Sequence, residues 1–158
     1  MDPVTALGVA ASAVQLGEVA LQVILEAWTF YNALKDSSQG MKDLCESLAT
    51  IKDAIADLQY LLENECVPPV RGTDGQPAAD DLKGLFKAIT SEARQLQCVV
   101  QRGSTFSAKL KWVRDEKKVQ KAAARLAGHK STLLVVQANF QLYVPFHFSY
   151  MISKLHGW

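Results

Sequence analysis

Apolar residues recur at helical spacing from the start of the chain. One line repeats every seven residues and a second runs beside it: Leu7, Val14, Leu21 and Trp28, then Val9, Leu16, Val23 and Phe30. Two such lines indicate a helix that is apolar over most of its circumference. Asp2 followed by Pro3 is typical of a helix start. We therefore predict helix 1 over residues 3–34.

The next two stretches have a single apolar face each. In helix 2, predicted over residues 38–65, the apolar residues keep an unbroken spacing of three and four: Met41, Leu44, Leu48, Ile51, Ile55, Leu58 and Leu62. Asp36 and Gln39 fit a capping box before it. Residues 67–78 (VPPVRGTDGQPA) predict a surface loop, because they contain three prolines and two glycines. Helix 3 is predicted over residues 78–102 and ends before Gly103.

The last third of the chain changes its period. From Phe106 to Trp112, apolar and polar residues alternate, which predicts a short extended connector. Helix 4 is predicted over residues 113–143, and Pro145 should break or kink it. The aromatic-rich residues 145–158 show no clear period. We predict an all-α, up-down four-helix bundle domain (1–144), with the connector before the last long helix, followed by a C-terminal tail (145–158).

Charge is distributed unevenly along the 158 residues, although the net charge is only +1. Residues 1–34 carry three acids and no bases, residues 35–92 carry 11 acids and 6 bases, and residues 94–130 carry ten bases and two acids. The three cysteines are far apart and lack metal or disulfide spacing, which favours free thiols in the cytoplasm. The length suits one domain.

Helix 1 comes close to a membrane span without reaching one. Residues 4–17 are uncharged, but Glu18 ends the run after 14 residues, and a span needs about 20. Asp2 is acidic where a signal peptide would be basic. We expect neither a signal peptide nor a constitutive transmembrane helix.

No pattern in the sequence indicates an enzyme, a metal site or a cofactor. Residues 128–132 (GHKST) resemble the end of a phosphate-binding loop, but Ala123 stands where that loop needs glycine. His129, His147 and His156 lack metal-ligand spacing with the cysteines. We expect no catalytic residues and no bound cofactor or metal.

Two features of the sequence could carry function. The first is a stripe of small residues on helix 1: Ala6, Ala10, Ala13, Gly17, Ala20 and Ala27. Small residues four apart let two helix backbones approach closely, as in membrane helix pairs. The interior of a tightly packed bundle would give the same pattern, so core packing and membrane or oligomer packing both remain open.

The second feature is a basic stripe on helix 4. Arg114, Lys118, Lys121 and Arg125 share one helix face, and Lys111 lies beside them. Such a stripe fits anionic lipid headgroups or an acidic partner, and it also fits an ordinary solvated face. A nucleic-acid partner is disfavoured, because no reader motif or aromatic interleaving accompanies the basic residues.

The stretches MDPVTALGVAASAVQLGEVALQV and KLKWVRDEKKVQKAAARLAGHKSTLLVVQ resemble the N-terminal domain of fungal STAND proteins, the NLR-like receptors, in the HeLo-like group. The resemblance covers about residues 1–140 and depends most on Leu110, Trp112, Leu126 and the run from His129 to Leu133. It implies a helical bundle related to HeLo cell-death domains and to the four-helix bundle of the necroptosis pseudokinase.

The resemblance also implies a function. Such domains are cytoplasmic effector modules of innate immunity and heterokaryon incompatibility. A nucleotide-binding receptor region or partner protein clusters them, and helix 1 then acts at the plasma membrane to trigger programmed cell death. The residues expected to serve membrane or oligomer contact are Ala6, Leu7, Ala10, Ala13, Val14, Gly17, Glu18, Ala20 and Leu21. The alternative is a soluble helical interaction domain without membrane activity.

Overall fold

A computed structural model describes residues 3–34, 38–64, 78–98 and 105–156. Within them, the side chains described are those of residues 8–9, 11–34, 38–64, 80–98, 117–145, 148–149 and 151–155. The described residues form four long helices: α1 (Pro3–Asn32), α2 (Gln39–Glu63), α3 (Ala78–Cys98) and α4 (Thr105–His156). The all-α prediction is confirmed at this level.

The helices pack into a helical bundle in which each contacts two others. α1 packs on α2 and α3, and α4 packs on the same two helices, so the order around the bundle is α1, α2, α4, α3. The Tyr31 hydroxyl donates to the Leu96 carbonyl, which brings the C-terminal ends of α1 and α3 together. Lys130 contacts Ser47 and Gln137 contacts Asp57, so α2 and α4 run in the same direction. α1 and α4 therefore lie on opposite sides of the core.

The inner face of α1 is its stripe of small residues. Ala13, Gly17, Ala20 and Ala27 are buried, and Ile24 completes this face. The predicted heptad line lies at the edge of the interface, where Val14, Leu21 and Trp28 are half-buried and pack against the core. Trp28 also lies under Lys52, whose Nζ is 4.8 Å from the ring centroid.

In α2 the predicted apolar face is confirmed, and the predicted cap is only partly described. All seven apolar residues from Met41 to Leu62 are buried. Ser38 is the N-cap, and its hydroxyl accepts from the Met41 amide at 3.2 Å. Asp36 lies outside the described residues, and the Gln39 amide donates to Asp43 rather than reaching back to the cap.

α4 corrects the prediction at both ends. Residues 106–112 are helical and not an extended connector, since helix satisfies its backbone hydrogen bonds internally whereas a lone strand has no partner. The helix also continues through Pro145. Proline removes the donor to the Gln141 carbonyl, but both residues are exposed, so water can hydrate that carbonyl. At 52 residues α4 is about 78 Å long, more than twice the length of α3.

The described core side chains of α4 lie between residues 119 and 140. Its buried side chains are Val119, Ala122, Leu126, Leu133, Val136 and Phe140. Beyond Phe140 the described apolar side chains are exposed or only half-buried, including Phe148 and Ile152. The segment after residue 140 therefore extends past the end of the packed core.

Tyr31 ties α1 to α3 with its phenol inside the core. It is 1% exposed and its hydroxyl donates to the Leu96 carbonyl at 3.0 Å. Burial, with a smaller contribution from Cys45, raises the pKa of Tyr31 far above its ordinary value of 10.0. The folded state therefore keeps this phenol protonated when the unfolded chain has begun to lose the proton.

Replacing Tyr31 with Phe should lower the unfolding free energy at pH 7 by about 1 kcal/mol, because the hydrogen bond is lost. Above pH 10 the unfolded state binds fewer protons than the folded state, so the stability of the wild type should fall by up to about 1.4 kcal/mol per pH unit. The Tyr31→Phe variant should lose less. Urea unfolding at pH 7 and pH 11 measures both effects, with Tyr60→Phe, on a residue 67% exposed, as control. Equal losses in wild type and variant would contradict this assignment.

Candidate functional site

The described residues offer surfaces rather than a catalytic centre. They contain no group of three or more His, Cys, Asp or Glu side chains that could hold a metal ion. None of the described helices combines the length and apolarity needed to cross a membrane. The two features singled out in the sequence therefore have to be judged by their packing and charge.

The small stripe of α1 allows a close approach to two helices at once. A Cβ atom on Gly17 would lie 3.0 Å from Phe86 Cε2 and 3.1 Å from Gln59 Cγ, whereas one on Gly8 would meet nothing within 4 Å. Ala13 and Ala20, one turn to either side, are fully buried. Within the bundle, the small residues thus serve contact with α2 and α3. The side chains of Ala6, Leu7 and Ala10 lie outside the described ones.

Two glutamines fasten α1 to its neighbours, and the sequence analysis missed both. The Gln59 amide donates to the Val14 carbonyl at 3.4 Å. The Gln97 amide donates to Glu26 Oε2 at 2.8 Å and to the Val23 carbonyl at 3.5 Å. The available signal was the position of Gln59 on the apolar face of α2, four residues after Ile55. Gln97 has no such signal, because it lies beside the apolar face of α3.

The two halves of α1 are anchored unequally. Among the described side chains from Gly8 to Ala20, the buried positions hold only alanine and glycine, while Val9, Val14 and Leu16 are half-buried. From Val23 onward the buried residues include Ile24, Tyr31 and Leu34. A buried methyl contributes roughly 0.8 kcal/mol, and a large apolar side chain about 1.5–3 kcal/mol. The described residues 8–20 therefore bury less apolar side chain than the residues that follow them.

The outer face of α1 carries little charge. Val19 and Leu25 are 41% and 45% exposed. Glu18 is also exposed, so its carboxylate is hydrated in the bundle, and Leu21 is half-buried. The described part of α1 has no basic residue, which leaves a surface that is mildly acidic and partly apolar.

The described part of the basic stripe lines an open groove between α3 and α4. Lys118, Lys121 and Arg125 line it together with Gln95 and Cys98, around a volume of about 440 Å³. Arg125 reaches Glu92 at 3.5 Å. The other Glu92 oxygen is buried and has no hydrogen-bond partner among the described residues. We call this surface the α3/α4 groove; the side chains of Lys111 and Arg114 lie outside the described ones.

A second groove lies on the other side of α3, between α3 and α1. Lys87 and Arg94 line it together with Leu16, Val19 and Cys98. Cys98 is an exposed free thiol that borders both grooves. The basic surface is therefore wider than the stripe on α4, because α3 contributes to it.

No family model, no curated protein and no solved structure matches this chain.

Glycine replacement should separate the close approach from helix propensity. Alanine in place of Gly8 should raise the unfolding free energy by up to about 1 kcal/mol, because the site is open. Alanine at Gly17 should give no such gain, since the new methyl crowds Phe86 and Gln59, and valine there should cost about 1–3 kcal/mol. Urea unfolding of the three variants measures this. Equal gains at Gly8 and Gly17 would show that α1 is not held this closely.

Proposed function

We propose that the chain is a non-enzymatic signalling module that self-associates on activation and acts at membranes through α1 to trigger programmed cell death. In this proposal the bundle is an up-down four-helix bundle of the HeLo-like group, and the sequence resemblance supports that relationship. The shared direction of α2 and α4 and the joined ends of α1 and α3 support the topology.

One observation carries the proposal: the described residues 8–20 of α1 bury only small side chains completely and carry a single charged residue, Glu18. Its buried positions up to Ala20 contribute little apolar area, so releasing this segment costs less than releasing the part that contains Ile24 and Tyr31. Its outer face adds exposed Val19 to that apolar surface. A released segment of this kind has surface to bury against lipid or against other copies.

In the released state the stripe of small residues on α1 would pack against the α1 helix of another copy. Ala13, Gly17 and Ala20 allow close packing of one α1 on another, as small residues do in membrane helix pairs. Glu18 would have to face a wet lumen or a paired charge, because an unpaired carboxylate in hydrocarbon costs several kcal/mol. Clustering by a nucleotide-binding receptor region or partner protein would multiply contacts that are weak singly.

The basic residues of α4 would hold the assembly to its target. Lys111, Arg114, Lys118, Lys121 and Arg125 are the proposed contacts for anionic lipid headgroups or for an acidic partner. Each basic side chain near an anionic leaflet contributes about 1 kcal/mol. The protein would be cytoplasmic at rest and would reach the plasma membrane only on activation.

A soluble interaction domain is the second candidate. The burial of Ala13, Gly17 and Ala20 within the bundle favours it, since that packing explains the small stripe without any lipid. Membrane activity separates the two candidates.

The test places charge on the outer face of α1 without disturbing the core. A Val19→Lys variant should keep its stability within about 0.5 kcal/mol, because the site is exposed. It should lose leakage of anionic vesicles when the protein is clustered through a fused tetramerising tag, since lysine deep in a bilayer costs about 3 kcal/mol. Dye release measures this outcome.

The matched control is Tyr60→Lys, on an exposed residue of α2, which should leak vesicles like the wild type. Full leakage by the α1 variant would contradict action through α1. Intact vesicles with the clustered wild type would favour the soluble interaction domain.

A further inference from the structure

Opposite charges occupy opposite sides of the bundle. The described side chains of α1 and α2 include seven acidic and two basic residues, a net charge of −5. Those of α3 and α4 include three acidic and nine basic residues, a net charge of +6. Because α1 and α2 are neighbours and α3 and α4 are neighbours, one side is acidic and the opposite side is basic.

The acidic side is dominated by a ridge on α2. Asp43, Glu46, Asp53 and Asp57 are all exposed and follow one another at intervals of three, seven and four residues. At about 100° per residue they lie within an arc of roughly 80° and extend over about 21 Å of helix. We call these four residues the α2 ridge. The only ion pair within it in the described residues joins Asp53 to its neighbour Lys52 at 3.6 Å.

The basic side of the bundle contains a groove, whereas the acidic side presents the exposed ridge of a helix. The α3/α4 groove is lined by Lys118, Lys121 and Arg125, and no acidic residue is among its described lining residues. These three basic side chains extend over about 10 Å of α4, and Lys87 and Arg94 on α3 widen the basic surface. An acidic helix ridge fits this groove in shape and in sign.

One copy cannot join its own two surfaces. Gln137 of α4 contacts Asp57 of the ridge, so the ridge lies beside the face of α4 that meets α2. The α3/α4 groove lies on the side of α4 that meets α3, so the two surfaces are on different faces of one copy. When the ridge of one copy enters the groove of another, each pair still has one unused ridge and one unused groove. Such heterologous contacts extend an assembly instead of closing it as a dimer.

We propose that the α3/α4 groove of one copy binds the α2 ridge of a second copy, so that the chain assembles head to tail. This inference rests on the proposed function, in which the chain acts by self-association, and it names the two surfaces that meet. Exposed charge pairs are weak singly and are screened at physiological salt, so the contact needs a raised local concentration. Clustering by a receptor region would supply that concentration.

Binding of a second copy gives a role to both charged surfaces, whereas binding of a lipid gives a role to only one of them. An anionic membrane would account for the groove but would leave the α2 ridge without a role. The ridge and the groove match each other in charge, which makes a protein of this same composition the favoured occupant.

The test uses two variants of the full chain, each with one surface neutralised. The groove variant is Lys118→Gln/Lys121→Gln, and Arg125 is kept because it pairs with Glu92. The ridge variant is Glu46→Gln/Asp53→Asn. All four residues are exposed, so both variants should fold. Controls with charge changes on the same helices but outside the two surfaces are Lys154→Gln on α4 and Glu63→Gln on α2.

Analytical ultracentrifugation at low salt, without lipid, gives the readout. The wild type and both controls should form assemblies that grow with concentration. Each neutralised variant alone should weaken self-association at least tenfold, as should raising the salt from 50 to 500 mM for the wild type. A mixture of the two variants should form a 1:1 dimer that does not grow, because one intact ridge meets one intact groove.

Three results would overturn the inference. The first is a wild type that stays monomeric at millimolar concentration and low salt. The second is a mixture of the two variants that stays monomeric while the wild type assembles. The third is a groove variant that loses binding to anionic vesicles but assembles normally, which would make lipid the occupant.

Vesicle leakage separates this inference from the proposed function. If the wild type assembles as described and leaks no vesicles when clustered, the proposed function fails and the head-to-tail contact stands. If the mixture of the two variants stays monomeric while the wild type assembles and leaks vesicles when clustered, the inference fails and the proposed function stands.

Discussion

The close approach of α1 to α2 and α3 at Gly17 is the constraint on which the rest of the bundle depends. With Phe86 and Gln59 this near, no larger side chain fits there without displacing the core. The positions one turn away, Ala13 and Ala20, are small and fully buried as well. Small residues bring the helices together, yet they bury little apolar area. Residues 8–20 of α1 are thus closely packed but bury little apolar area at their fully buried positions, and both properties come from the same side chains.

The sequence predicted the helices best where a single apolar face decides the outcome. The seven apolar residues of α2 are all buried because their spacing admits only one inward face. The sequence of α1 contains two apolar lines, and either could face the core. Spacing alone could not show that the stripe of alanine and glycine is the part of the helix buried most deeply. The segment from Phe106 to Trp112 misled because alternation indicates a strand only where a second strand exists to pair with it. Pro145 does not end the helix, because a helix tolerates proline where the freed carbonyl is hydrated.

The sequence indicated only part of each candidate surface. The spacing of Lys118, Lys121 and Arg125 placed them on one face of a helix, and they do line one groove. The charge counts by sequence segment placed α2 and most of α3 together in residues 35–92, and that segment is acidic overall. The order of helices around the core separates them, so that α3 adds Lys87 and Arg94 to the basic side. Gln97 meets Glu26 across 71 positions of sequence, which no local pattern can indicate.

Under the two proposals, the small buried side chains of α1 and the separation of charge would combine into a device that responds to concentration. At physiological ionic strength the attraction between an exposed ridge and an exposed groove falls off within about 8 Å, so dilute copies stay apart. Tethering the copies raises their local concentration to the millimolar range, where weak contacts persist. In a head-to-tail assembly each copy uses α2 on one side and α3 with α4 on the other, and α1 is the helix that takes least part in either contact. The segment of α1 that is proposed to be released would then remain free to move in every copy of the array.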